Sequence, residues 1–365
     1  MRREMALDLE QAVKAIRAGE TARVRSELHD RPELASKARL VVDAARFARP
    51  ACLRLLLQRG ADPDAKYRGY RPLHALIQER PHGEAGVVSD ERLRCLDLLL
   101  EAGADPRQQA AYPPAGALPI AAFTGLSPFV EALLAAGVSV DGFAEAALGR
   151  AGAVARRLAR DPGFASARDR GVLTALQCAA ASRMGRNDGR IRRGLREIAT
   201  NLLDAGADPN AKTTAWSDEV DTVYFAASSH QLDVFRLLLD RGADPTAALP
   251  SALWNAPLEF AELAIERGAV CDRAISHGKP LLNDLIRWGQ VKQATWLLER
   301  GASPNLADEN GWTALHQAAS RGNERMLVAV LDAGGDRDRR DAEGRTPLGV
   351  ARRLKRLRSV RLLST

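Results

Sequence analysis

The sequence predicts an all-α solenoid of stacked helix pairs, and three observations carry that prediction. First, one pattern runs twice between Glu299 and Leu348: a leucine-rich helix end, a glycine stop, a polar connector, a Gly-x-Thr-x-Leu start, a small-residue helix and a second apolar helix. Gly301 and Gly334 hold the same place in successive copies, ~33 residues apart, the period of a two-helix repeat. Second, similar stops recur upstream at Gly60, Gly103, Gly137, Gly206, Gly242 and Gly268. Third, aromatic residues make up only 5% of a chain rich in alanine and leucine, which suits thin, closely packed helices better than a sheet core. One such unit cannot bury its own apolar face, so neighbours must stack.

The unit is most complete in Gly311, Thr313, Ala314, Leu315, His316, Ala318 and Ala319, followed by Gly344, Thr346, Pro347, Leu348 and Ala351. Thr313 can offer its hydroxyl to an orphan backbone N–H, and Pro347 sits in the first turn, where no N–H is needed. Ala318 and Ala319 keep the first helix thin, and Gly301 ends a helix in the left-handed region without strain. These residues resemble the G-x-T-P-L-H-x-A-A signature of ankyrin repeats. The resemblance implies about eleven helix-turn-helix units with short β-hairpin or loop connectors and divergent terminal caps, and a bacterial source is expected.

In chain order, residues 1–34 read as a helical cap, because the pair from Leu7 to Leu34 lacks a Gly-Ala ending. Its Arg31-Pro32-Glu33-Leu34-Ala35 resembles Asp161-Pro162-Gly163-Phe164-Ala165. Repeats fill 35–338, and 339–365 form a capping repeat of the same continuous solenoid. The third unit carries Gly69, Tyr70, Arg71, Pro72, Leu73 and His74, with an inserted loop from Pro81 to Asp90. The fourth ends at Gly137; the fifth is short, with little sequence left for a connector. The sixth starts with Gly171, Thr174, Ala175 and Leu176 and inserts a second loop, Arg183–Arg193, where the first one fell. The seventh has an extended connector from Ala211 to Asp221, the eighth is compressed, and the ninth carries Pro280 and Leu281. In the last helix Arg352, Arg353, Lys355, Arg356, Arg358 and Arg361 alternate with leucines, as a solvated face of a terminal repeat would.

No enzyme signature emerges. There is no nucleophile elbow, Walker loop or HExxH motif, and every segment is consumed by a repeat or a short loop. No catalytic, cofactor-binding or metal-ligating residue is assigned. Cys52 and Cys95 share a slot filled elsewhere by Phe129, Ile198, Val234, Phe260 and Met326, so they read as core fillers. Equivalent positions of stacked helices lie ~8–10 Å apart, beyond the ~7 Å reach of a disulfide. The resemblance makes His74 and His316 structural rivets to the neighbouring connector. His230 replaces a turn glycine, and His29, His82 and His277 lie in expected loops, where a solvated side chain is expected. Trp254, Trp288 and Trp296 fall in helical patterns and read as packing residues.

No apolar run of ~18 uncharged residues predicts a membrane span, and the charged start MRREMALDLE predicts no secretory signal, so a cytoplasmic location is expected. The net charge of +7 leaves nucleic acid as a rival partner, through the 183–193 loop or the terminal arginines, but that charge is spread along the chain. The resemblance points instead to a protein partner, recognised by connector tips and first-helix faces on a concave surface. The matching positions are Tyr67, Arg68 and Tyr70 in the third unit, Glu309, Asn310 and Trp312 in the tenth, and Arg345 in the eleventh. Trp216 and Asp218 lie in the seventh connector, and Phe225 and Gln317 follow the histidine position on first helices. Tyr, Trp and Arg often dominate interface energy; packing on the neighbouring connector is the competing reading for the aromatic tips. Neutralisation of a toxin or effector is a narrower form of the protein-binding reading.

Overall fold

The computed structural model describes residues 2–78, 88–110, 113–170, 172–215 and 218–364. Within these the helices pair off in chain order. The first units are α1 (Arg2–Ala18) with α2 (Thr21–Asp30), α3 (Ala38–Arg46) with α4 (Pro50–Gln58), α5 (Pro72–Gln78) with α6 (Asp90–Glu101), and α7 (Ala117–Thr124) with α8 (Ser127–Ala135). Then come α9 (Gly142–Ala147) with α10 (Ala151–Arg160), α11 (Ala175–Ala181) with α12 (Gly189–Asp204), and α13 (Thr222–Ser228) with α14 (Leu232–Asp240). The last are α15 (Pro245–Asn255) with α16 (Leu258–Glu266), α17 (Leu281–Arg287) with α18 (Val291–Glu299), α19 (Ala314–Arg321) with α20 (Glu324–Asp332), and α21 (Pro347–Arg353) with α22 (Leu357–Leu363). Eleven helix pairs therefore stand among the described residues, as the repeat reading expects.

The chain divides into two compact units, Met1–Leu237 and Leu238–Thr365. In the first, α3 packs on α1, α5 on α3, α7 on α5, α9 on α7, and α11 on α9, while α4 packs on α2 and on α6. In the second, α17 packs on α19 and α19 on α21, with α18 on α20 and α20 on α22. First helices thus meet first helices and second helices meet second helices, the arrangement that buries stripes no single repeat could cover. The shared slot of Cys52, Cys95, Phe129, Ile198, Val234, Phe260 and Met326 is buried throughout. All four cysteines are free, and burial pushes the Cys95 thiol up to about 12, so it is an inert core side chain.

Local chemistry sets the helix starts. Asp141, Asp221 and Asn323 accept the N–H of Ala144, Tyr224 and Met326, and Thr346 accepts that of Gly349. Thr174 and Gln177 close a reciprocal capping box on α11. Gly301 stops α18 at φ +84°, as its place after the leucines requires. The resemblance of Arg31–Ala35 to Asp161–Ala165 is structural too: both are 3-10 turns, Pro32–Ser36 and Pro162–Ala165, entered from residues with φ near −140°.

Three expectations need correction. The Arg183–Arg193 insertion is not a loop; a 3-10 turn spans Met184–Arg186 and α12 begins at Gly189, because Asp188 caps the N–H groups of Arg190 and Ile191. Trp288 does not pack: it follows the last turn of α17 and is 59% exposed, beside the Arg287 guanidinium. His277 is not simply solvated; its Nδ1 lies 2.6 Å from the buried Asp284 carboxylate. Most of the other expected insertion, together with His82, Gly171 and Trp216, lies outside the described residues.

The added turns of α12 rest on one glycine. A Cβ on Gly194 would stand 2.3 Å from the Gly149 carbonyl oxygen, at the turn between α9 and α10. Gly194→Ala is therefore expected to force backbone apart and destabilise the chain by about 1–3 kcal/mol. A urea midpoint equal to wild type would show that α12 does not seat this closely.

Candidate connector-tip interface

The connectors are built from backbone pairing and short aspartate turns. In the third unit Tyr67 and Tyr70 exchange both N–H···O bonds (2.9 and 3.0 Å) across Arg68 and Gly69, which take φ +50° and +85°. Arg39 lies over the Tyr67 ring at 5.9 Å and Arg46 over Tyr70 at 4.9 Å, both from the preceding repeat. Both tyrosines are half-buried and fixed by these cation–π contacts, whereas Arg68 is exposed. In the seventh unit β1 (Thr213–Ala215) and β2 (Asp218–Val220) form an antiparallel hairpin with Ala215 opposite Asp218. In the ninth β3 (Ile275–Ser276) and β4 (Lys279–Pro280) do the same across His277 and Gly278.

In the tenth connector the buried Asp308 organises the turn. Its Oδ1 accepts the N–H groups of Asn310 and Trp312 (2.9 and 3.0 Å), and its Oδ2 accepts from Lys279 Nζ (3.0 Å) of the preceding connector. Asp341 repeats the device, accepting the N–H groups of Glu343 and Arg345 and the Arg345 side chain. Burial alone would raise the Asp341 carboxyl, but hydrogen bonds from Arg345 override it and hold the group below the usual carboxylate range. Trp312 donates its indole N–H to Asp341 Oδ2 (3.1 Å) and stacks on His316, with ring centroids 6.3 Å apart. Trp312 is thus half-buried and clamps the eleventh connector, while Glu309 and Asn310 are exposed.

The first-helix positions fare differently. Phe225 and Gln317 are 2% and 5% exposed, so they are enclosed by the stack and offer no free surface. The slot faces the adjoining first helix, and Asp284 and Cys178, which align there, are buried as well. Arg345 is committed to Asp341 and Glu343. The tips that combine exposure with a fixed backbone are Arg68, Glu309 and Asn310, flanked by the half-buried Tyr67, Tyr70 and Trp312.

What fixes the connectors is a row of buried polar side chains. His74 Nε2 donates to the Ala115 carbonyl (2.9 Å) and His316 Nε2 to that of Arg345 (3.1 Å). At the same slot Gln177 donates to Ala211 O (2.8 Å), and Asn283 to both Leu306 O (3.0 Å) and Trp312 O (2.9 Å). The last two rivets do not match the family's histidine. Counting from the connector glycine finds them, since Gly171 to Gln177 spans about the interval from Gly311 to His316. Burial lowers the His74 imidazole to about 4 and moves His316 down as well, so both act as neutral donors.

No group of three or more potential metal ligands occurs among the described residues. No described helix is long and apolar enough to cross a membrane.

Comparison with known proteins agrees with this architecture. Residues 281–365 match the model for ankyrin repeats (3 copies). The chain is similar to an ankyrin repeat-containing protein of Schizosaccharomyces pombe, 47% identical over 57 residues, which are 16% of this chain and 28% of that protein. It is 30% identical over 168 residues to human SH3 and multiple ankyrin repeat domains protein 2, covering 44% of this chain and 9% of the relative. A putative ankyrin repeat-containing protein of Treponema pallidum is 32% identical over 95 residues, 26% of this chain and 32% of the relative. The chain thus spans less than a third of the length of these relatives, and their mixed organisms give no support to a bacterial source. Residues 281–365 therefore match ankyrin repeats, and the helix pairs upstream of them repeat the same two-helix unit.

Proposed function

We propose that this chain is a non-catalytic module that recognises another protein through its connector tips. The observation that carries the reading is the division of labour within each connector. Buried Asp308, Asp341, His74, Gln177, Asn283 and His316 hold the backbone, leaving Arg68, Glu309 and Asn310 exposed, Arg68 over the Tyr67 ring and Glu309 3.5 Å from Lys279 Nζ. A fixed tip loses little conformational freedom on binding, so its side chains can be varied for a partner without disturbing the stack. Ankyrin repeats are in general protein-interaction modules, and human SH3 and multiple ankyrin repeat domains protein 2 is by its name a multidomain protein of this kind. The buried Phe225 and Gln317 set the stacking and do not touch the partner.

The test is affinity capture with the intact chain, compared with a variant carrying Arg68→Glu, Glu309→Arg and Asn310→Ala. A specific protein retained by the wild type should bind the variant about tenfold or more weakly, the equivalent of 1.4 kcal/mol or more. Equal retention by both would sink the tip assignment, and binding that instead falls steeply with salt and follows added DNA or RNA would replace the protein partner with nucleic acid.

A further inference from the structure

The fifth repeat has no connector hairpin. Only Ala136–Asp141 separates α8 from α9, whereas the fourth and sixth units carry bridged connectors at Ala110 with Ala115 and at Arg168 with Thr174. Where the fifth connector would stand there is a cleft of about 290 Å³, floored by Leu118, Pro119 and Phe143 and walled by Gln109, Asp141 and Asp169.

Asp169 holds the same place in its connector as Asp308 and Asp341 in theirs. Its Oδ1 accepts the Leu173 N–H (2.6 Å), as their Oδ1 atoms accept the N–H groups of Trp312 and Arg345. The difference lies at Oδ2. Asp308 receives the Lys279 ammonium from the preceding connector, and Asp341 receives the Arg345 guanidinium. Asp169 Oδ2 has Gln109 Nε2 at 3.4 Å, and no ion pair to Asp169 is seen among the described residues. Asp308 takes its cation from the preceding connector, and for Asp169 the preceding repeat is the one that lacks a connector.

We propose that the cleft receives an extended segment of a protein partner in place of the missing connector, with a lysine or arginine of that segment paired to Asp169 and apolar neighbours laid over Leu118, Pro119 and Phe143. This inference rests on the protein-recognition reading and names a subsite for it. Charge favours this occupant. Arg107 is already engaged by Asp105 at 2.9 Å, and Asp141 and Arg170 are both exposed at the rim, so the buried charge of the cleft is the Asp169 carboxylate. Burial, with Asp141 nearby, raises the Asp169 carboxyl to about 6 despite Arg170, which marks a carboxylate short of positive partners. An incoming cation relieves that shortage, and the partner's backbone replaces the pairing a fifth hairpin would make.

The experiment uses a library of displayed random dodecapeptides selected on the full chain near neutral pH. The selected pool is then measured against Asp169→Asn, which keeps the acceptor for Leu173, and against Ser139→Arg, which places a cation at the rim without touching the Asp169 turn. The expected result is a pool rich in one lysine or arginine flanked by apolar residues, bound about tenfold or more weakly by each variant. A pool without a basic residue, a pool bound equally well by both variants, or the absence of any pool overturns the proposal. A pool weakened only by the Arg68, Glu309 and Asn310 changes also overturns it while leaving the tip reading intact.

Discussion

His74→Ala is expected to destabilise the chain by about 3 kcal/mol near neutral pH, because it removes a fully buried ring and leaves the enclosed Ala115 carbonyl with only the Ala110 N–H at 3.3 Å. His74→Gln should retain most of that stability, since Gln177 performs the same task at the same slot, 2.8 Å from Ala211 O. The pH dependence separates the rivet from a mere space filler. The folded imidazole sits at about 4, below its ordinary 6.5 in an unfolded chain, so the unfolded state binds the proton first. The contribution is fully present above about pH 6.5 and is lost as pH falls toward 4, by up to about 3 kcal/mol. Asp169 works in the opposite direction: its folded carboxyl is raised to about 6, so its contribution to stability is present at low pH and lost as pH rises through 6. That opposing effect is the smaller, because the cleft admits solvent that screens it. Urea midpoints taken between about pH 7 and pH 4.5 should therefore fall less for His74→Gln than for wild type, and more for Asp169→Asn. Parallel curves for all three proteins would show that neither group titrates as its surroundings require.

The second large effect is expected at Asn283. Its buried amide donates to two carbonyls, Leu306 O and Trp312 O, and so closes both ends of the tenth connector. Asn283→Ala leaves Leu306 O without its donor and Trp312 O with only the Asp308 N–H, and a loss of about 1–3 kcal/mol is expected, concentrated in the second compact unit. Amide exchange near Asp308 to Trp312 should accelerate in the variant while α3 to α6 remain protected. Asn283→His should be milder, because His316 shows that a histidine fits the slot and reaches the next carbonyl. If the alanine and histidine variants lost equal stability, the amide would not be acting as a rivet.

Much of this was written in the chain. The interval between glycine stops, the small-residue helices and the T-x-L-H start identified the repeat, and eleven helix pairs stand among the described residues where about eleven units were expected. The equivalence of Cys52 and Cys95 with Phe129 and Met326 was legible because one slot per repeat must stay apolar to fill the stack. The likeness of residues 31–35 to 161–165 proved to be a shared 3-10 turn. The 183–193 segment misled because its arginines and glycines suggest a loop; Asp188 as a cap and Gly194 against Gly149 make it the first turns of α12. Trp288 misled because helical spacing continues through the residue that ends α17, where the chain has already turned outward.

The amino-acid order by itself determined the repeat, its register and two of the rivets, His74 and His316, because these follow from the spacing within one unit, whereas Gln177 and Asn283 were recognised as rivets from the structure. Which side chains remain available to a partner was decided only by the tertiary structure. Phe225 and Gln317 are enclosed by adjoining helices, Trp312 and Arg345 are spent on Asp341, and Asp169 lines a cleft without the cation that Asp308 and Asp341 receive. Apart from the Arg345 pair with Asp341, which is local, these outcomes depend on what the neighbouring repeat places across the gap, a contact between segments tens of residues apart.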